Sequence, residues 1–223
     1  MARALVLRHH LEDHPGLIGE AFEARGYVLD VAMMSASTPT PSLEGYDALI
    51  ILGSSSAVYD EDVESAWFHR ELALIGEADA ASLPVLGICF GAQALCRYYG
   101  GTVTRAPEGE VGWFDITVTG DVALPRGPWF EFHFDHCTLP ESAELWATSA
   151  RAVQAFSIGA SVGVQFHPEV DDLQLKEWLD ADEGSTRELG LDVDALLAET
   201  ARETPAARGR AQTLVDLFLS RVS

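Results

Sequence analysis

Short apolar runs alternate along the chain with stretches whose apolar residues recur every three or four positions. Residues 4–7, 27–31, 46–52 and 85–88 are short and apolar on successive positions, the pattern of strands covered on both faces of a parallel sheet. Between them, Leu17, Ile18, Ala21 and Phe22 form a helical stripe that Gly26 can end. Phe68, Leu72 and Ile75, with Trp67 beside them, predict an amphipathic helix over residues 61–78. Ala92, Leu95, Cys96 and Tyr99 predict a third helix, ended by Gly100-Gly101, that begins within one or two residues of the strand at 85–88. A strand starts at 102–104. Beyond Gly112 the period changes: Trp113, Phe114, Ile116 and Val118 interleave with Asp115, Thr117 and Thr119, predicting an antiparallel strand with one exposed side and hence a mixed sheet. Residues 129–136 (WFEFHFDH), 145–148, 153–158 and 162–166 supply further strands. The tail predicts three helices: one around Leu173, Leu175, Trp178 and Leu179, one capped by Asp192, and one opening at Thr204-Pro205 and carrying Ala211, Leu214, Val215, Phe218, Leu219 and Val222. A polar, glycine-containing connector spans residues 180–190.

Length and composition narrow the class. A chain of 223 residues that is 48% hydrophobic can bury one substantial core. The predicted division is a principal domain over residues 1–170 and a C-terminal helical extension, residues 171–223, packed on that domain. With 35 acidic against 14 basic residues the net charge is −21, which argues against nucleic acid or an anionic membrane as partner, because phosphates would be repelled. Three cysteines, an odd number, fit free thiols in a reducing compartment. No stretch approaches a membrane span in length and the N-terminus lacks the layout of a secretory signal, so the expected location is cytoplasmic.

The candidate chemistry lies at PVLGICFGAQALCRYYGG, residues 84–101. Gly87 and Gly91 flank Cys89 as G-x-C-x-G, the thiol counterpart of the G-x-S-x-G elbow, in which small neighbours let a strand turn sharply into a helix and expose the nucleophile. Cys89 would then sit at a helix N-terminus, where the dipole and unpaired N–H groups favour an anion. A lone cysteine between strand and helix is ordinarily a small buried hydrophobe. The segment Val164-Gln165-Phe166-His167-Pro168-Glu169 argues otherwise. Residues i and i+2 of an extended chain share a face, and Pro168 holds His167 in extended geometry, so imidazole and carboxylate lie side by side. Cysteine as nucleophile, His167 as base and Glu169 to orient the imidazole form a complete constellation. Two other groups invite a metal reading: His9, His10, Asp13 and His14 after the first strand, and Glu131, His133, Asp135 and His136. The first lacks a ligand scaffold and reads as a loop; in the second, lining of a pocket ranks above a metal site. No metal is expected.

GICFGAQ followed by VQFHPE resembles the class I glutamine amidotransferases, the triad glutaminases, and is most similar to stand-alone members that look like the glutaminase half of GMP synthase. The likeness runs from the first strand through Glu169. It implies an α/β fold: a three-layer sandwich with a mixed, mostly parallel central sheet, of the flavodoxin-like class I glutaminase type. It also implies Cys89, His167 and Glu169 as the triad, and an oxyanion hole from the turn at Gly53-Ser54 together with the N–H of Phe90. Gln93 and the His133-x-Asp135 piece would contact substrate. No cofactor is implied. The turn departs from the family pattern, since Ser54-Ser55 follow Gly53 where the family carries Gly-Pro.

What the resemblance implies is cleavage of the side-chain amide of glutamine through a glutamyl thioester, giving glutamate and ammonia. The only lysine is Lys176, so the chain has no G-x-x-x-x-G-K-[ST] loop with which to bind a nucleotide phosphate. An ammonia-accepting synthetase would be a separate protein. Two alternatives stay open: a γ-glutamyl peptide or conjugate hydrolase with the same triad, and a catalytically weak regulatory subunit. Intracellular cysteine peptidases of this architecture fit less well, because His-Pro-Glu follows the glutaminase pattern.

Overall fold

In the computed structural model, which describes residues 1–60, 64–181 and 190–221, the first apolar run is strand β1 (Ala2–Arg8). Its alternate side chains enter two separate cores, Ala4 and Val6 on one face and Leu5 and Leu7 on the other. The same division holds for β3 (Ala48–Ile51) and β4 (Val85–Ile88), whose residues are all buried. Strands buried on both faces need a layer of helices on each side. Helices α1 (Gly16–Glu23), α2 (His69–Ala80) and α3 (Phe90–Tyr98) contribute to those layers, α1 covering the Ala4–Val6 face and α2 and α3 the Leu5–Leu7 face.

The large sheet has eight strands in the order β2-β1-β3-β4-β10-β9-β8-β6, with β2 (Tyr27–Met33), β6 (Thr117–Val118), β8 (Glu144–Thr148), β9 (Val153–Ile158) and β10 (Ser161–Val164) completing it. From β2 to β10 every pairing is parallel, and from β10 to β6 every pairing is antiparallel. This is the mixed, mostly parallel three-layer α/β sandwich that the family resemblance implies.

Three expectations change. The strand expected from Gly112 to Thr119 is two elements. Residues up to Phe114 belong to a long strand, β5 (Thr102–Phe114), paired antiparallel with β7 (Trp129–Thr138) as a separate two-stranded ribbon; only Thr117–Val118 joins the large sheet. Alternation reports that a strand has two unlike faces but not which strand lies beside it. Tertiary contacts decide the pairing: Trp113 packs edge-on against Phe130, and its indole N–H donates to Thr200 Oγ1 at 2.8 Å.

The second and third tail helices are one, α5 (Val193–Leu219), with Pro205 inside it. Proline removes one N–H and normally breaks a helix. Here Leu196, Thr200, Thr204, Ala207, Ala211, Leu214, Val215 and Phe218 make an unbroken buried stripe through that point, and Phe218 lies 5.9 Å from Phe22 of α1. The hydroxyl of Thr204 donates to the carbonyl of Thr200 at 2.9 Å. Burial of the continuous stripe outweighs the missing bond. Asp192 caps the start as expected, accepting from Ala195 N at 3.0 Å, and α4 (Asp172–Ala181) is the first tail helix. Third, over its described residues the helix expected from residue 61 is a π-helical turn, Glu64–Phe68, followed by α2. Its first three residues, most of the 180–190 connector and Val222 lie outside the described residues.

Candidate active site

The backbone reverses between β4 and α3 at Cys89, whose φ of 50° and ψ of −104° are uncommon for a residue with a side chain. The flanking glycines permit the turn by close approach. A Cβ on Gly87 would lie 2.5 Å from the carbonyl of Gly91, and one on Gly91 would lie 2.3 Å from the carbonyl oxygen of Ile51. The amide of Cys89 donates to Val164 O at 2.8 Å, tying the elbow to β10, which runs parallel to β4.

Beyond β10 the chain crosses to the ribbon, where His167 N donates to Phe130 O at 2.7 Å. The next turn meets α1: Leu17 N donates to Glu169 O at 2.9 Å, and Gly16 packs directly on that carbonyl. The Glu169 backbone is thus held from one side and the His167 backbone from the other. Their side chains meet at 2.8 Å between His167 Nδ1 and Glu169 Oε1, both buried. The edge of Trp178, from α4, covers the imidazole at a ring separation of 5.1 Å.

Cys89 and His167 converge on Gly53, where a Cβ would stand 2.9 Å from His167 Cε1 and 3.7 Å from Cys89 Cβ. Burial opposes a charged His167, yet the carboxylate of Glu169, the charge of Cys89 and hydrogen bonds to both hold its proton well above the usual imidazole range. Thiol, imidazole and carboxylate thus follow one another in line. Gln165 Nε2 donates to Cys89 Sγ at 3.4 Å, and Gln93 Nε2 donates to Gln165 Oε1 at 3.2 Å.

A cavity of about 930 Å³ opens over the sulfur. Gly53, Ser54, Cys89, Phe90, Gln93, His133, Asp135 and His167 all line it; Glu169 stands behind His167. Ser54 needs no glycine-like backbone, since Ser82 and Cys89 are the described non-glycine residues with positive φ. His133 donates from Nδ1 to the carbonyl of Asp135 at 2.9 Å, and its Nε2 faces Glu110 at 3.2 Å and Glu131 at 3.3 Å. Burial opposes its charge, but those two carboxylates raise it to about 10. Glu110, Glu131 and His133 stand close enough together to hold a cation. The four residues weighed from sequence as a metal group do not converge: Asp135 accepts from the Tyr59 hydroxyl and His136 pairs with Thr104 Oγ1. Of the early histidine loop, His10 and Asp13 reach the cavity, His14 pairs with Glu177, and His9 is buried.

Sequence reasoning missed Gln165, although it sits inside the VQFHPE motif, and passed over Tyr59 and Arg105, which enter the cavity from distant elements. It also missed Glu71, read only as part of an amphipathic helix, which is fully buried against His9. A carboxylate among apolar neighbours on α2, with an unexplained histidine elsewhere, was the available signal.

A parallel sheet with a thiol at a strand-to-helix elbow and an imidazole–carboxylate pair at the end of the neighbouring strand defines an α/β protein built around a nucleophile elbow. The chain belongs to the glutamine amidotransferase class-I family, whose description matches residues 17–179. It is 35% identical over 152 residues to gamma-glutamyl peptidase 5 of Arabidopsis thaliana, covering 62% of this chain and 59% of that protein. It is 32% identical over 140 residues to a glutamine-hydrolyzing GMP synthase of Chlorobaculum tepidum, covering 55% of this chain and 25% of that one. A crystal structure of a glutamine amidotransferase from Thermotoga maritima superposes with a TM-score of 0.89 at 28% identity, over 98% of both chains. No helix among the described residues is long and apolar enough to cross a membrane.

Proposed function

We propose that this protein hydrolyses the side-chain amide of glutamine, with Cys89 as nucleophile, His167 as proton carrier and Glu169 as its orienting carboxylate. The observation that carries this reading is that the Cys89 side chain and the imidazole, hydrogen-bonded to each other, both stand against Gly53, with Glu169 2.8 Å behind the imidazole. The thiolate attacks the amide carbon, and the oxyanion is met by the N–H groups of Phe90 and Ser54. Phe90 is the first residue of α3 and has no intrahelical acceptor for its N–H. The His167 proton passes to the departing nitrogen, releasing ammonia and leaving a glutamyl thioester. His167 then takes a proton from water, which attacks the thioester, and glutamate leaves. Gln93 and the ribbon at His133 and Asp135 border the substrate's amino-acid end. The site belongs to residues 1–170, and the extension contributes Trp178 to its wall. Free ammonia is mostly protonated at neutral pH, so a separate synthetase is the proposed acceptor.

One observation favours a second reading, hydrolysis of γ-glutamyl conjugates. The cavity, about 930 Å³, lies near the top of the ~300–1,000 Å³ range of pockets that enclose drug-sized ligands, and Arg105 and His10 line it as well. Free glutamine would leave much of it empty. Release of glutamate is to be measured from glutamine and from γ-glutamyl dipeptides, with Cys89→Ala as control. The expected result is Cys89-dependent release from at least one substrate, and the ratio of kcat/KM chooses between the readings. Equal release by Cys89→Ala would end both.

A further inference from the structure

His9 and Glu71 form a second buried histidine–carboxylate pair that the proposed chemistry does not use. Glu71 comes from α2 and His9 from the segment just after β1, and both side chains are at most 1% exposed. His9 Nε2 lies 2.9 Å from Glu71 Oε2, and its Nδ1 lies 2.7 Å from the carbonyl oxygen of Gly53. The imidazole ring stacks on Trp67 at 4.8 Å and meets Phe90 at 4.9 Å.

A carbonyl oxygen can only accept, so Nδ1 carries a hydrogen and donates it to Gly53. An ionised carboxylate also only accepts. With Nδ1 so committed, Nε2 meets the Glu71 carboxylate at 2.9 Å, and the ring is held at both nitrogens. A planar trans peptide points its C=O and its N–H in opposite directions. Anchoring the Gly53 carbonyl on His9 thus turns the next N–H, that of Ser54, away from His9, on the side where Gly53 and Ser54 line the cavity with Cys89. No group among the described residues accepts from that N–H. The pair is a poor choice for stability alone, since a buried ion pair replaced by packed apolar side chains is commonly neutral or better.

We propose that His9 and Glu71 are positioning residues that lock the Gly53–Ser54 peptide in the orientation that presents the Ser54 N–H to the developing oxyanion. This rests on the amide-hydrolysis reading above. It also accounts for how the turn serves without the second glycine and the proline: the orientation is imposed by a hydrogen bond to its carbonyl, so it does not depend on the residue that follows Gly53.

The test compares two double variants in which no buried carboxylate is left unpaired. His9→Leu/Glu71→Met removes the donor. His9→Asn/Glu71→Met restores one, because the Asn amide nitrogen, like Nδ1, is bonded to Cγ. For each, kcat and KM are measured on the better substrate, together with the rate at which iodoacetamide alkylates Cys89. Alkylation displaces iodide at saturated carbon and builds no oxyanion, so it reports the nucleophile alone. The Leu/Met variant is expected to lose ~100-fold in kcat, the cost of one oxyanion donor. Its KM and alkylation rate should stay within about threefold of wild type, and the Asn/Met variant should recover about tenfold in kcat. A Leu/Met kcat within about threefold of wild type overturns the proposal. So does an equal fall in alkylation and hydrolysis, which would make the pair a prop for the elbow, and so does an Asn/Met variant no faster than Leu/Met. If wild-type hydrolysis does not depend on Cys89, the underlying reading fails first and takes this proposal with it.

Discussion

The turn at Gly53 is approached from two sides by buried histidines, each paired with a glutamate at nearly the same distance: His167–Glu169 at 2.8 Å and His9–Glu71 at 2.9 Å. In both, burial opposes the imidazolium and the carboxylate outweighs it, so both histidines hold their protons above the ordinary range. They differ in what the other side of the ring meets. His167 faces a thiol and an open cavity, so its proton has somewhere to go. His9 faces an amide carbonyl and two aromatic rings, so its proton can only hold. In the proposed reading the same pair of side chains serves as a proton carrier beside a thiol and as a strut beside a carbonyl.

The largest expected effect separates the carrier from the strut. His167→Ala should lower kcat by ~10³-fold or more and slow iodoacetamide alkylation of Cys89 as well, because both the proton carrier and the cation beside the sulfur are lost. If alkylation of Cys89 is unaffected while hydrolysis falls, the two pairs do not differ in the way described. A smaller change acts on the point they share. Gly53→Ala would place a Cβ 2.9 Å from His167 Cε1, displacing the ring or the turn, and a loss of ~10–100-fold in kcat/KM with little change in Tm is expected. Wild-type activity in that variant would mean that imidazole and turn are looser than drawn.

A third effect, read in stability and not in rate, concerns the third buried histidine among the described residues, His133, held by Glu110 and Glu131. Its folded pKa is raised to about 10 from an ordinary 6.5, so the stabilisation it gives is complete below pH 6.5 and is lost as pH rises toward 10. Between those limits wild-type Tm should fall relative to that of His133→Gln, by about 2–4 °C for each kcal/mol lost in a chain of this size. Parallel Tm curves across that window would show that His133 is uncharged.

The elbow was legible because its requirements are local. Gly87, Cys89 and Gly91 lie within five residues, although Gly91 is small because the Ile51 carbonyl of β3 passes beside it. The His167–Glu169 pairing was also legible, but for another reason than the extended segment expected: Pro168 and Glu169 form a turn, Val170 N donating to His167 O at 3.5 Å, and Phe130 and Leu17 hold its two ends. The ribbon was not legible. Trp113 and Phe114 alternate as any strand does, and only packing against Phe130 and α5 takes them out of the large sheet. Pro205 reads locally as a helix start and is overruled by a buried stripe extending through it. Glu71 reads as the polar face of a helix, and nothing within α2 announces that a histidine from the segment after β1 will meet it.

The amino-acid order alone therefore settled what depends on neighbours a few bonds apart: strand and helix periods, the small residues beside the thiol, and the presence of an imidazole and a carboxylate two residues apart. Only the folded chain decided which strands lie side by side, which helix survives its proline, and which buried carboxylate meets which histidine. Those outcomes depend on contacts between residues tens of positions apart, whose energies no local pattern records.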